Sequence, residues 1–453
     1  MLYFILKILS KLTLKSFFRR IRIVGKENIP ENVPVIFIAN HPSAFMDPII
    51  VASTVKQPVY FIAAGEYVGK GIKGFIFRKW LHMIPVFRPS TRPEEVHKNK
   101  DMFNHCFDHL SSGRSLLIFP EGVSKTERKI KPFKTGVARI ARGAELLNQK
   151  KLNLHIVPVG LNYSNPHQFR SDVFVNIGKA ICVKELITEN PENEFTEVEH
   201  LTKLAEDRLH ETVLHIEKEE DDSLLTKLHQ IYSRDLKEEL GIDFKEQERE
   251  FLLQKNMLAA IDHFRTKAPH KFDFAVQQID LYSNQLRAHG ITDKDVRELK
   301  FQQSFVRVIS YILGLPFFIP GVIFNFIPYQ LVQYILKKIR INENFQGSMI
   351  LAAGLVLFTL FYIAVAILVG LFTPLGWWAV LLPVVMYVTG VYAQMYLSAI
   401  QYTRQRKNLR SVFRNNKSLI QKLGSERKEL IQLLEELRIE FEGSGSTLKV
   451  DNE

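Results

Sequence analysis

At 453 residues the chain is about three times a typical domain length. Its 46% apolar and 24% charged content is that of ordinary globular protein, which excludes a collagen-like or wholly disordered chain. Lys and Arg number 60 against 48 Asp and Glu, a formal net charge of +12 that favours phosphates, nucleic acid or an anionic membrane as partners. Two cysteines, Cys106 and Cys182, are too few for a Cys-based zinc site or a disulfide framework, so nothing points to redox chemistry or an oxidising compartment.

Residues 1–26 carry Lys7, Lys11, Lys15, Arg19, Arg20, Arg22 and Lys26 and no acid. Lys7, Lys11 and Lys15 share one helical face, while Phe4, Ile5, Ile8, Leu9, Leu12 and Phe17 are free to enter a lipid boundary. This is the pattern of a basic amphipathic interfacial helix. A signal peptide fits less well, because lysines interrupt the apolar core and no small-residue cleavage site follows.

From residue 27 to 188, short apolar runs alternate with helical patterns. Strands are expected at Val35 to Ala39, Val59 to Ala63, Ser115 to Phe119, Ile156 to Leu161 and Val173 to Ile177. The alternation predicts an α/β domain, a mixed sheet flanked by helices. Directly after the first of these strands stands Asn40-His41-Pro42-Ser43-Ala44-Phe45-Met46-Asp47, at a position where α/β sheets present reactive groups. Histidine suits a general base near neutrality, and a carboxylate fixes its tautomer. Six helical residues subtend about 600°, so His41 and Asp47 cannot share a face of one straight helix, and a turn must join them. Pro42 is expected to open the following helix. Arg88, in Pro85-Val86-Phe87-Arg88, offers a guanidinium for bidentate contact with phosphate. Phe119-Pro120-Glu121-Gly122-Val123-Ser124 again lies at a strand end, followed by Lys125, Arg128, Lys129, Lys131 and Lys134. Gly122 lets the backbone approach a ligand, Glu121 is able to accept hydrogen bonds from a polyol, and the cations suit a phosphate. A structural His–Asp pair and a solvated basic loop are the plainer readings of these blocks taken singly.

Residues 189–300 are charged and helical, with an acidic patch at Glu219 to Asp222, and are expected to form a solvated extension. Residues 301–400 form the membrane region. Gly347 to Thr403 holds no Asp, Glu, Lys or Arg, and a bilayer crossing needs about 20 apolar residues. Two transmembrane helices are expected at 348–372 and 376–398, turning at Thr373-Pro374-Leu375-Gly376, with Trp377 and Trp378 at the interface. Lys337, Lys338 and Arg340 precede this hairpin, and Arg404, Arg406, Lys407 and Arg410 follow it. Both flanks, and the catalytic domain with them, are expected on the cytoplasmic face. Residues 308–328 are apolar but contain Pro316, Pro320 and Pro328. A single crossing would strand one basic cluster outside, so a re-entrant hairpin is expected. In 401–442, Leu409, Phe413, Ile420, Leu423, Leu430, Leu434, Leu437 and Phe441 form a heptad seam interrupted by Asn416 and Arg427. Self-association through this tail and packing on its own protein both explain the seam. Residues 443–453 are polar and expected to be disordered.

Taken together, the blocks at 40–47, at Arg88, at 119–122 and at Val157-Pro158-Val159, with Pro132 to Ala138 after the third, resemble the phospholipid/glycerol acyltransferase family over roughly Gly25 to Gly178. That family includes glycerol-3-phosphate and 1-acyl-sn-glycerol-3-phosphate acyltransferases. The resemblance implies a membrane-bound O-acyltransferase of phospholipid synthesis, with acyl-CoA or acyl carrier protein as donor, a glycerol phosphate or lysophosphatidic acid acceptor, and no cofactor. His41 would be the base and Asp47 its partner. Asn40, Ser43, Arg88, Glu121, Gly122, Ser124 and Lys134 would bind substrate, and the neighbouring helix start would donate N–H groups to the oxyanion. Five residues separate His41 from Asp47 where the family's usual motif has four. Members similar to glycerol-3-phosphate or dihydroxyacetone phosphate acyltransferases share the longer spacing, which leans the acceptor towards a small polyol phosphate. Another lysolipid as acceptor and an inactive membrane scaffold are the alternatives. Nucleic acid is not expected as a partner, because the cations cluster beside membrane segments.

Overall fold

In the computed structural model, residues 2–69, 71–88, 91–241, 247–297, 305–338 and 345–445 are described. The chain divides into two units, Met1–His215 with Leu331–Leu357 and Ile216–Gln330 with Phe358–Glu453.

Buried β-branched runs build the sheet of the first unit. Its strands are β1 Arg20–Val24, β2 Val35–Ala39, β3 Val59–Ala64, β4 Met83–Val86, β5 Ser115–Ile118, β6 His155–Tyr163, β7 Asp172–Ile177 and β8 Ile181–Cys182. The order is β1-β7-β6-β2-β5-β3-β4, with β8 also paired to β6. Strands β6, β2, β5, β3 and β4 run parallel, and β7 runs antiparallel to β6, so the sheet is mixed as expected. The parallel strands therefore end on one edge, and the chemistry-bearing loops start there.

The pleat sends alternate residues to two cores. Ile36, Ile38, Leu116 and Ile156 face one layer, which includes α5 Asn99–Ser111, α6 Gly136–Leu147 and α7 Glu194–Thr212. Phe37, Leu117, Val157 and Val159 face the other, with α1 Leu2–Phe17 and α2 Met46–Thr54. Two short helices, α3 Gly65–Val68 and α4 Gly71–Lys79, follow β3.

Three expectations for this unit need correction. The N-terminal helix does not run through residue 26: it ends at Phe17, and Arg20–Val24 becomes a strand beside β7, because alternating Arg and Ile suits an edge strand with one wet face. Phe4, Ile5, Ile8 and Leu12 are exposed, but Phe17 is buried in the core rather than offered to lipid. Lys7 is also engaged, its Nζ donating to the Val55 carbonyl at 2.6 Å. The domain does not close at residue 188. Val198, Leu201, Ala205 and Leu209 of α7 pack into the core, made possible by Gly160, where a Cβ would stand 2.2 Å from the Thr212 carbonyl oxygen. Strands β1, β4 and β8 were not expected.

In the second unit, α8 Glu219–Glu239, α9 Gln247–Lys267, α10 Pro269–Ala288, α11 Asp293–Arg297 and α15 Lys417–Gly443 form a bundle with its own core. Leu225, Ile231, Ile279, Tyr282, Leu423 and Leu430 are buried. The expected solvated extension is thus a packed domain, and the acidic patch is the first turn of α8, where negative charge meets the helix dipole. The seam of α15 packs on its own protein. Arg427, its interruption, binds Asp235 at 2.5 Å and Asp293 at 2.8 Å; Asn416 precedes the helix. Leu409 and Phe413, and residues 446–453 of the expected disordered tail, fall outside what is described of side chains and chain respectively.

Among the described residues, three helices are long and apolar enough to cross a membrane, over Ile309–Lys338, Gln346–Phe372 and Gly376–Arg404. They lie in α12 Phe305–Lys338, α13 Gln346–Phe372 and α14 Leu382–Asn415, with a short 3-10 turn at Gly376–Leu381. The expected turn at 373–376 separates the last two. No hairpin breaks α12: one helix runs through Pro316, Pro320 and Pro328, a correction that follows from apolar neighbours leaving helix as the sole way to satisfy the backbone.

Candidate active site

The loop after β2 folds back on itself before α2 begins. Met46 N donates to the Ser43 carbonyl at 2.9 Å, and Ala44 takes a left-handed φ of 42°. The helix opens at Met46 rather than at Pro42, since Pro42 is spent in the turn, and Pro48 stands in the first helical turn instead. This fold-back brings His41 Nδ1 to 2.8 Å from Asp47 Oδ2, so the turn that the six-residue spacing requires is present.

Asp47 is fully buried, whereas 19% of the His41 side chain is exposed. The carboxylate is fully used. Oδ2 also accepts the Ser43 N–H at 2.8 Å, and Oδ1 accepts the Tyr163 hydroxyl at 2.6 Å. Burial, together with the adjacent Asp47 charge, holds the Tyr163 phenol well above its ordinary value, so it stays a donor. The His41 ring lies on Phe119, centroids 3.9 Å apart and planes 14° from parallel. With an Nδ1–H donated to Asp47, the Nε2 lone pair is left as the base.

Several residues expected to touch substrate instead hold this loop. Glu121 does not reach outward: Oε1 accepts the His41 N–H at 3.0 Å and Oε2 the Lys131 N–H at 2.9 Å. Burial raises its carboxyl above the usual range, against the lowering effect of those two amides. Asn40 is locked to β6, its amide donating to the Leu161 carbonyl at 3.0 Å and accepting the Leu161 N–H at 2.7 Å. Ser124 Oγ accepts the Ala44 N–H at 2.9 Å, and Ser43 is fully buried. In each case an amide or side chain that would otherwise be an unpaired buried polar group is satisfied. Ahead of α2, the N–H groups of Ser43, Ala44 and Met46 are bonded in the same way, to Asp47, to Ser124 and to the Ser43 carbonyl respectively.

Gly122, with φ +69°, lies against the exposed Lys134, whose Nζ would be 2.8 Å from a Cβ there. Lys134 N donates to the Pro120 carbonyl at 3.0 Å, which draws this cation to the site loop. Arg88, half-buried, follows β4 on the same carboxyl edge. Three strand spacings separate β4 from β2, about 15 Å, so Arg88 belongs to the rim rather than to the His–Asp pair.

Two participants were missed. Tyr163 lies on the same face of β6 as Val157, Val159 and Leu161, the face that meets α2, so the period of two in this strand was the available signal. Ser348, in the first turn of α13, accepts the Met46 N–H at 3.2 Å and donates to the Ser43 carbonyl. No sequence signal links positions so far apart.

Residues 20–162 match the family model described as Acyltransferase. Glycerol-3-phosphate O-acyltransferase 1 of Saccharomyces cerevisiae is 24% identical over 399 residues, covering 68% of this chain and 52% of that protein. The chain thus spans about half the length of that relative. A 1-acyl-sn-glycerol-3-phosphate acyltransferase of Borreliella burgdorferi is 28% identical over 42% of this chain and 70% of its own. Among solved structures, the 1-acyl-sn-glycerophosphate acyltransferase PlsC of Thermotoga maritima aligns with 45% of this chain and 78% of its own, at 22% identity and a TM-score of 0.31.

Proposed function

We propose, with residues 20–162 as the acyltransferase domain, that the chain transfers a fatty acyl group from acyl-CoA or acyl carrier protein to a hydroxyl of glycerol-3-phosphate or lysophosphatidic acid, at the cytoplasmic face of a membrane. The observation that carries this reading is the His41–Asp47 contact of 2.8 Å on a partly exposed imidazole. His41 Nε2 takes the proton of the acceptor hydroxyl as its oxygen attacks the thioester carbonyl. Asp47 holds the tautomer and balances the imidazolium. When the C–S bond breaks, the imidazolium returns the proton to the leaving thiolate, so neither an acyl-enzyme nor a cofactor is required. Arg88, Lys134 and the cations from Lys125 to Lys131 supply positive charge for the acceptor phosphate. Glu121, Ser124 and Asn40 act on the reaction through the loop they brace.

The test is transfer of labelled acyl groups from both donors to both acceptors, comparing the wild-type chain with His41→Ala. Acylation of one acceptor, lost in His41→Ala, is the expected result. Equal background for the two chains on every donor and acceptor would sink this reading.

A further inference from the structure

The helical bundle of the second unit is hollow. Its long helices α8, α9, α10 and α15 enclose a cavity of about 260 Å³. The walls are apolar and belong to the interior of the bundle, with Leu253 only 2% exposed and Ile279 and Phe441 3% each. On α8 the lining residues are Leu224, Leu228, Tyr232, Leu236 and Leu240, a row at four-residue steps that runs about 24 Å at 1.5 Å per residue. The cavity is therefore elongated. Every lining residue lies in the second unit, so the His–Asp site makes no use of it.

Native interiors hold few voids larger than a water molecule, and an apolar void stays dry. Its walls forfeit the dispersion contacts they would make with a filling group, and a hydrocarbon guest restores them. Size limits the guest. A cavity of about 150 Å³ holds one benzene, about 25 Å³ per carbon, so this one holds about ten carbons. The elongated shape suits a chain rather than a ring. Room for it comes from two small side chains in the wall, Ala260 of α9 and Ala275 of α10.

The polar part of the wall selects the head group. Arg438 and Glu442 line the cavity, and Arg438 binds Glu239 at 2.6 Å, Glu442 at 2.8 Å and also Glu435. Tyr232 donates its hydroxyl to Glu435. The guanidinium is thus spent on protein carboxylates, and three carboxylates around one cation leave this rim formally negative. It repels a carboxylate or phosphate head and presents oxygens that accept from a hydroxyl. We infer that the bundle binds a neutral single-chain lipid, with an apolar tail of about ten carbons along the α8 row and a hydroxyl-bearing head at the Arg438 and Glu442 rim. The site is separate from His41 and Asp47 and does not rest on the acyl-transfer reading, whose reactants carry the anionic heads that this rim excludes.

The experiment is photolabelling of the full chain, in phosphatidylcholine vesicles, with 1-decanoylglycerol carrying a diazirine on its tail, followed by mass spectrometry of the labelled peptides. Adducts are expected on the segments that carry Met257 and Ile279, which line the cavity. Unlabelled 1-decanoylglycerol should compete better than decanoate by about tenfold or more, because of the negative rim. Ala260→Phe and Ala275→Leu each put a larger side chain into the cavity. Each should cut the label by about fivefold or more while leaving the melting temperature unchanged or raised, since the added volume meets a void rather than a packed core. Adducts absent from these segments, or undiminished in a filled variant that melts like wild type, would overturn the inference. Decanoate competing as well as the glycerol ester would also overturn it. So would failure of both filled variants to fold, because a side chain entering a real void displaces nothing.

Discussion

Tyr163 donates its hydroxyl to Asp47 Oδ1 at 2.6 Å while His41 holds Oδ2 at 2.8 Å, so one buried carboxylate is shared between the base and a tyrosine on a different strand. Tyr163→Phe removes this bond and leaves the ring in place. A hydrogen bond of this kind contributes about 0.5–1.5 kcal/mol. The expected outcome in steady-state kinetics is a fall in kcat of about two- to tenfold with KM little changed. Asp47→Asn should cost far more, about three orders of magnitude or greater, because an amide opposite Nδ1 favours the wrong tautomer.

Ser348 ties the first turn of α13 to the fold-back between His41 and Asp47, through the Met46 N–H and the Ser43 carbonyl. Ser348→Ala leaves the Met46 N–H with the Ser43 carbonyl at 2.9 Å as its partner and takes the Ser348 hydroxyl away from that carbonyl. Turnover should fall by about two- to tenfold from the loss of these bonds, measured as kcat in native membranes, with the protein still present at wild-type amount.

Gly122 has φ +69°. In Gly122→Ala the crowding is relieved by movement of the flexible Lys134 side chain, but the left-handed backbone remains, at a cost of about 1–2 kcal/mol. Thermal unfolding should show this loss. Activity should fall with it, because the same loop carries Glu121.

Asp172 binds both Arg19 and Arg20, each at 2.6 Å, and joins the exit of α1 to β7. Burial pushes its carboxyl up, but the two guanidiniums outweigh that and hold it below the ordinary value. A carboxyl depressed in the folded state lends stability above its unfolded value and loses it as pH falls through the folded one. Asp172→Asn should thus cost about 1 kcal/mol at neutral pH, kept small by the exposure of both arginines. The gap between the two chains in urea unfolding should shrink as pH drops below about 4.

The legible parts of the fold were those where burial is continuous. Val35–Ala39 is buried on both faces, so its composition alone marks a central strand. Strand β1 alternates Arg with Ile and β4 contains Pro85, so each reads as loop until a neighbouring strand supplies its hydrogen bonds. The charged stretch from α8 to α11 read as solvated because its apolar residues are spaced for a bundle whose last member, α15, arrives more than a hundred residues later.

By itself, the sequence determined which residue types are available at the site and near which strand ends: the imidazole of His41, the carboxylates of Asp47 and Glu121, the cations after them, and the uncharged run from Gly347 to Thr403. Such features are local, set by composition and by periods of two or 3.6 residues. The tertiary structure decided which way each side chain is turned. It directed Glu121, Asn40 and Ser124 into the loop rather than towards solvent, gave Asp47 its Tyr163, and seated Ser348 against Ser43. Those choices depend on hydrogen bonds between residues 80 to 305 positions apart, and a buried polar group takes whatever partner the packed chain brings within reach.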